Sequence, residues 1–420
     1  MTFGPTPEPG ALAARTLLLV SGGFEAVAAV HEAHRMGVRV LAAAEVPDAP
    51  AFRLADAALL ARTSDPEATV EAARAYAARH GIDGVLAVGT DAPRTVAAVA
   101  DALGLPGISL ATAELAADRL ALHACLRAAG VATAWSAPVA SAAELGVYAA
   151  RDTRALVVRP VDGRGTRGVV RLLPAVDAAW AFAVAQAASP TGRVMVEAWP
   201  LGPHVRAESV AVGGRVMTIA LADVSHECLG PPAPFVVVGG AEMPSALPVG
   251  TCAAVERAVA MAAAALGVHD AAITAEVAVE RDVPLVLGVR ARLSGGFSCS
   301  HEVPLATGVN LMAAAIGLAL GRPPAVADLV PRWARAVAQR CVFAPAGRVV
   351  AVEGSAEVAS GEGIALVEVR VRPGDVVPPP VERIVRAGRV IAIGDTRGEA
   401  MARVRRGVAR LRVLTQPDAG

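Results

Sequence analysis

The stretch Val157–Val170 reads V-V-R-P-V-D-G-R-G-T-R-G-V-V. An apolar run, Ala155–Val158, drives into a loop holding Gly163, Gly165 and Gly168 and leaves through Val169 and Val170, which predicts strand, tight glycine loop, strand. Arg159, Arg164 and Arg167 surround the turn, and Thr166 sits within it. Glycines let backbone N–H groups close on an anion, and guanidiniums supply charge. The same residues also suit a plain hairpin turn with solvated arginines, so the rest of the chain has to decide.

At 420 residues the chain can hold two or three domains and bury a large core. Its 39 basic residues balance 39 acidic ones, which argues against a nucleic-acid partner. Lysine is absent, so every basic side chain except histidine is arginine. With the abundant Ala, Gly, Pro and Val this points to a GC-rich genome, and it weakens the meaning of arginine at any single position. Cys125, Cys228, Cys252, Cys299 and Cys341 are scattered without a CxxC pair, as reduced thiols of a cytoplasmic protein would be. The mean hydropathy of +0.50 comes from alanine and valine, not from an apolar run long enough to cross a bilayer, and no membrane partner is expected. Leu17–Val20 is too short for a signal-peptide core.

Taken in order, Met1–Ala14 reads as a disordered, proline-bearing tail. Arg15–Val20 is a strand ending in Ser21-Gly22-Gly23, followed by an amphipathic helix through His34, a strand at Val38–Ala43, a helix at Glu67–His80, a strand at Gly84–Val88 and a helix at Thr90–Leu103. That alternation predicts a parallel, doubly wound sheet. Ser21-Gly22-Gly23 lacks the G-x-G-x-x-G spacing and reads as a strand-to-helix turn. Beyond the glycine loop, hairpins are expected at Glu208–Ala220 and Ala275–Val289, with an alanine-rich helix, Cys252–Leu266, between them. A short α+β segment should run from about Trp333 to a last helix, Arg397–Leu411.

Several ordered stretches resemble the ATP-grasp superfamily: D-R-L-A-L-H-A-C-L-R-A-A-G-V at 118–131, the glycine loop at 157–169, V-M-V-E-A-W-P-L-G-P-H-V-R-A-E-S at 194–209, G-P-P-A-P-F at 230–235, V-L-G-V-R-A-R-L-S-G-G-F at 286–297, P-L-A-T-G-V-N-L at 304–311 and P-G-D-V-V-P-P-P at 373–380. The resemblance implies an α/β ATP-grasp fold: after the tail at 1–14, a Rossmann-like domain at 15–110, a lid subdomain at 111–190, a C subdomain at 191–332 and a C-terminal α+β segment at 333–420. It is nearest to the carboxylate–amine ligases, such as amino-acid and dipeptide ligases. Those enzymes phosphorylate a carboxylate with Mg·ATP and let an amine attack the acyl phosphate. No A-M-K-M segment of a biotin carrier is present.

Residue by residue, the resemblance implies that Arg119 and Arg159 stand where lysines hold ATP phosphates, with Gly163, Arg164, Gly165, Thr166 and Gly168 forming the covering loop. Glu197, Ala198 and Trp199 match the segment that reads adenine, but its fourth position is Pro200, which has no N–H to offer. Losing a bond to a buried acceptor costs about 1–3 kcal/mol, which weakens nucleotide binding without abolishing it. Glu276 keeps the first metal carboxylate. The second position is Gly288 and the asparagine position is Arg290. Side chains 288, 290 and 292 share a strand face, so Arg290 should point where Mg²⁺ would sit. Two unit charges ~4 Å apart at an effective dielectric of ~20 interact by about 4 kcal/mol, and a divalent ion doubles the repulsion. Val238 and Ala241 replace a glutamate and a histidine of related ligases. Arg292 matches the arginine that steadies the acyl phosphate, and could instead pair structurally with Glu276.

The expectation is an ATP-grasp ligase-like protein that binds ATP or a related anionic ligand, with a small carboxylate as a further ligand and magnesium chemistry lost or altered. It would work alone, as a homo-oligomer or beside an active homologue. One rival is an active ligase in which Arg290 replaces a metal ion's charge and Glu302 is recruited as an acid. Another is a structural subunit that binds no small molecule.

Overall fold

Leu17, Leu18 and Leu19 are wholly buried, because the strand Thr16–Leu19 is central to a four-stranded parallel sheet and is covered on both faces. The computed structural model describes residues 12–90, 92–163, 165–230, 234–380 and 384–417. Most of the expected tail, and Arg164 of the glycine loop, lie outside these. In the parallel sheet the strands run in the order Ala57–Leu60, Arg39–Ala44, Thr16–Leu19, Gly84–Leu86. Helices Phe24–Arg35 and Pro66–His80 connect strands of this sheet and Pro93–Leu103 follows its last strand in the chain, Asp65 capping the second helix by accepting from Ala68 N. Gly22 is a packing glycine: a Cβ there would lie 2.4 Å from that of Ala44 and 2.9 Å from that of Ala49.

A larger antiparallel system follows. Val283–Arg290, Ala271–Glu280, His204–Val212, Arg215–Leu229 and Phe235–Met243 pair in that order. Four more strands form a smaller leaf in the order Val170–Arg171, Leu156–Pro160, Val194–Ala198, Ser136–Val139. The leaves join at the pair Phe235↔Val170. Helix Ala178–Ala187 backs the small leaf, its Ala181 and Ala185 meeting Val158 and Val196 in one core. Helix Val249–Ala265 backs the large leaf through Val255, Val259, Ala262 and Ala263.

The alternating pattern finds the hairpins but not their extent. Arg215–Leu229 continues well past the expected Ala220, through Asp223, Ser225 and His226, because this strand crosses from the core to a polar face. Strand Ala336–Phe343 was not expected. It pairs with Phe235–Met243 and with Arg386–Gly394, so part of the C-terminal segment extends the large leaf. Among the described residues no helix is long and apolar enough to cross a membrane.

Candidate functional site

Two ladders of the large leaf set the floor of the site. Glu276 lies opposite Gly288 on one side and Arg206 on the other, and Thr274 lies opposite Arg290 and Glu208. Cross-strand partners share a face, so Arg206, Glu208, Glu276, Gly288 and Arg290 look to the same side. The missing side chain of Gly288 leaves room for Arg119: a Cβ at 288 would stand 3.5 Å from Arg119 Nη2 and 3.5 Å from Glu276 Oε2. Arg119 opens helix Arg119–Ala128, whose cap Asp118 accepts from Ala121 N.

A cluster of opposed charges results. Arg290 Nη1 donates to Glu276 Oε1 at 2.8 Å, and Arg119 Nη2 stands 3.5 Å from Glu276 Oε2. Arg159, on strand Leu156–Pro160, donates to Glu197 Oε2 at 2.9 Å. The other oxygen of Glu197 lies 3.8 Å from Arg119 Nη1 and 3.6 Å from His123 Nε2. Burial, with repulsion from Arg159, lowers Arg119 to about 10. Arg290 first, then Arg119 and Arg159, hold the Glu276 carboxyl far below the usual range against the cost of desolvation. Its side chain is 47% exposed, so water screens part of that pull. Burial would raise Glu197, but Arg159, Arg119 and His123 outweigh it and bring it down. Burial pushes His123 down, which keeps its ring neutral at pH 7.

This donor set does not fit magnesium. Mg²⁺ demands an octahedral shell of oxygens. Gly288 supplies none, Arg290 supplies a cation, and the one carboxylate, Glu276, is already held by two guanidiniums. Among the described residues no three His, Cys, Asp or Glu side chains gather in a way that could hold a metal ion.

Strand Val194–Ala198 delivers Glu197 into the cluster and leads to Trp199 and Pro200. The N–H groups here are committed: Ala198 N donates to Trp135 O at 2.8 Å and Trp199 N to Ala155 O at 2.7 Å. The Trp199 ring stacks on His204, centroids 4.6 Å apart, and His226 meets both rings edge-on at 5.0 and 4.9 Å. His204 Nε2 lies 2.9 Å from Pro200 O. Burial and the neighbouring His204 lower His226 to about 4.

In the glycine loop, a Cβ at Gly163 would strike the Pro160 ring at 2.2 Å, and one at Gly168 would meet Ala188 Cβ at 2.6 Å. Gly165 differs: its φ is +62°, yet nothing lies within 4 Å of an added Cβ. Thr166 is half-buried in the same turn, its carbonyl accepting from Val169 N. The loop, the cluster and the starts of helices Pro66–His80 and Pro93–Leu103 line a cavity of about 210 Å³. Among the described residues Arg94, Arg119, Arg159 and Arg290 line it, against a single carboxylate, Asp162.

Two expectations need correction. The guanidinium that reaches Glu276 is that of Arg290, not of Arg292. The strand ends at Arg290, so alternation no longer governs Arg292, which donates to Leu293 O and borders a separate cavity of about 60 Å³. Glu302 is not available to a metal site either. It is 1% exposed and takes Arg206 Nη2 at 2.6 Å and Gln339 Nε2 at 3.1 Å. It belongs to a second cluster on the same face, where Arg206 also meets Glu208 at 2.7 Å, and Arg389 meets Gln339 Oε1 at 3.3 Å and Glu368 at 3.0 Å.

Sequence reasoning missed His123, although its i,i+4 spacing from Arg119 places both on one helix face. It missed His204, His226, Arg94, Gln339 and Arg389, whose roles arise from contacts across the fold.

Comparison with known proteins agrees with this architecture. Residues 340–416 match the family model described as L-amino acid ligase C-terminal domain 2. The uncharacterized protein y4rH of Sinorhizobium fredii is 28% identical over 335 residues, covering 78% of this chain and 67% of that protein. The L-amino acid ligase of Bacillus licheniformis superposes with a TM-score of 0.81 at 23% identity, over 96% of this chain and 99% of that one. The biotin carboxylase domain of the Hydrogenobacter thermophilus 2-oxoglutarate carboxylase, solved with MgADP, ADP and bicarbonate, superposes with a TM-score of 0.73 at 17% identity, over 95% and 90% of the chains.

Proposed function

The chain carries the ATP-grasp fold of the carboxylate–amine ligases, and from that premise we propose that it is a ligase-like protein that binds ATP or a related anionic ligand without magnesium-dependent catalysis. The observation that carries this reading is the Arg290–Glu276 pair facing Gly288. A cation occupies the place of one oxygen ligand and neutralises the carboxylate that remains. In phosphoryl transfer, metal ions bridge the β- and γ-oxygens and take up the developing charge. Glu276 held by arginines cannot recruit them.

The surplus of guanidinium over carboxylate around the cavity supports anion binding. Arg159 and Arg119 stand ready for phosphate oxygens, and no atom lies within 4 Å of where a Cβ at Gly165 would be, which leaves space on that side of the loop. Arg292, at the family's acyl-phosphate position, would serve a carboxylate ligand on the far side of the strand end. The test pairs binding with turnover. Tripolyphosphate should bind in the presence of a chelator, and hydroxylamine trapping with Mg·ATP and a panel of amino acids should yield no acyl phosphate above background. Turnover with any carboxylate and amine would establish the active-ligase reading instead.

A further inference from the structure

The cavity runs in an unexpected direction. From the three arginines it extends not along Ala198, Trp199 and Pro200, none of which lines it, but toward the first turn of helix Pro93–Leu103 and the helix Leu110–Ala117. There Ile108, Ala116, Ala117 and Leu122 form an apolar strip of the wall, beside Ser64, Arg94 and Thr95. The other end is cationic. Arg159 is a cavity residue whose Nε is buried without a hydrogen-bond partner. Among the described lining residues Asp162, which accepts the Ser189 hydroxyl through one oxygen, is the one acid against four arginines. The hinge, by contrast, offers a base little: the Trp199 N–H serves Ala155, Pro200 has no N–H, and the Trp199 ring is stacked on His204. At about 210 Å³ the space is also below the roughly 300–1,000 Å³ of sites for drug-sized ligands.

We propose that this cavity takes a small organic phosphate, free of magnesium, in place of a purine nucleotide. Its phosphate lies among Arg119, Arg159 and Arg290, and its carbon body lies on the Ile108–Ala116–Ala117 wall. The inference rests on the anion-binding reading above and adds the ligand's shape and direction. A dianion is matched to this end of the cavity: Arg119 and Arg159 repel one another, and an added negative charge relieves that repulsion.

The experiment is calorimetry on the whole protein with a chelator present, using inorganic phosphate, phenyl phosphate, tripolyphosphate and ATP as probes. Phenyl phosphate should bind at least about fivefold more tightly than phosphate, because its ring leaves water for the apolar wall. ATP should bind within about threefold of tripolyphosphate, since adenosine gains no partner. Ile108→Ala should narrow the gap between phenyl phosphate and phosphate. The proposal is overturned if ATP is markedly tighter than tripolyphosphate, or if phenyl phosphate is no better than phosphate, while anion binding itself stands. If none of the four probes binds, the anion-binding reading falls with it. The comparison of ATP with tripolyphosphate needs no variant, so a poorly folding Ile108→Ala leaves the test intact.

Discussion

The two charged clusters on one sheet face differ in what they leave over. Around Arg206, carboxylates and guanidiniums alternate: Glu208 and Glu302 flank Arg206, Gln339 links Glu302 to Arg389, and Arg389 meets Glu368. Glu208 and Glu302 are 2% and 1% exposed. Around Arg119 three guanidiniums share Glu197 and Glu276, the second half open to water, and a cavity adjoins them. A closed cluster with three carboxylates on two guanidiniums ties strands and helices together. An open one with three guanidiniums on two carboxylates retains positive charge that an anion can use. Position relative to solvent, not residue type, separates the two roles.

The sharpest way to break this contrast is to remove one acid from each cluster. Glu302→Ala leaves buried Arg206 with Glu208 alone and Gln339 without this acceptor, and should cost up to about 3–5 kcal/mol in urea unfolding. Glu276→Ala, at a half-exposed site, should cost less than about 1 kcal/mol. Equal losses would mean that both clusters are structural.

Acid should act elsewhere first. Glu276 has a depressed pKa, so its contribution is full above the ordinary carboxylate range and is lost progressively as the pH falls below that range, under the window of His226. His226 is the reverse: the folded ring takes a proton only near pH 4, whereas an unfolded one does so near 6.5. The unfolded state therefore binds more protons in that window, and stability is lost as the pH falls from about 6.5 to about 4, by at most about 3 kcal/mol. His226→Phe should flatten the unfolding profile over that range. A variant with the parent's slope would place the sensitive group elsewhere.

A smaller effect than that of Glu302→Ala is expected in the glycine loop. Gly165→Val forces a β-branched residue to φ +62° with no clash, for about 1–2 kcal/mol. Gly168→Val, which adds contact with Ala188, should cost more. If the order is reversed, the open space at Gly165 is not what keeps it glycine.

Local pattern revealed the parts of the molecule that local pattern controls. The strand–loop–strand around Gly163, the parallel sheet of the first hundred residues and the outward reach of Arg290 follow from periodicity and from glycine. Resemblance supplied the positions of Arg119, Arg159, Glu197 and Glu276. What stayed hidden depends on distant partners. Glu302 looked like a spare acid because Arg206 and Gln339 lie about 96 and 37 residues away along the chain. Trp199 looked like a plain hinge residue because His204 and His226 stack on it only in the folded sheet.

The central claim is that Gly288 and Arg290 remove the metal from this site. Writing back Gly288→Glu and Arg290→Asn restores two oxygen ligands beside Glu276 and removes the cation, and a Cβ at 288 would make only ordinary contacts, the nearest at 3.5 Å. The measurement is the affinity for tripolyphosphate with and without Mg²⁺, on the parent and on the double variant. The account predicts no more than a threefold effect of Mg²⁺ on the parent and at least about tenfold tightening, about 1.4 kcal/mol, on the variant. Tenfold tightening on the parent, or none on a folded double variant, would contradict it.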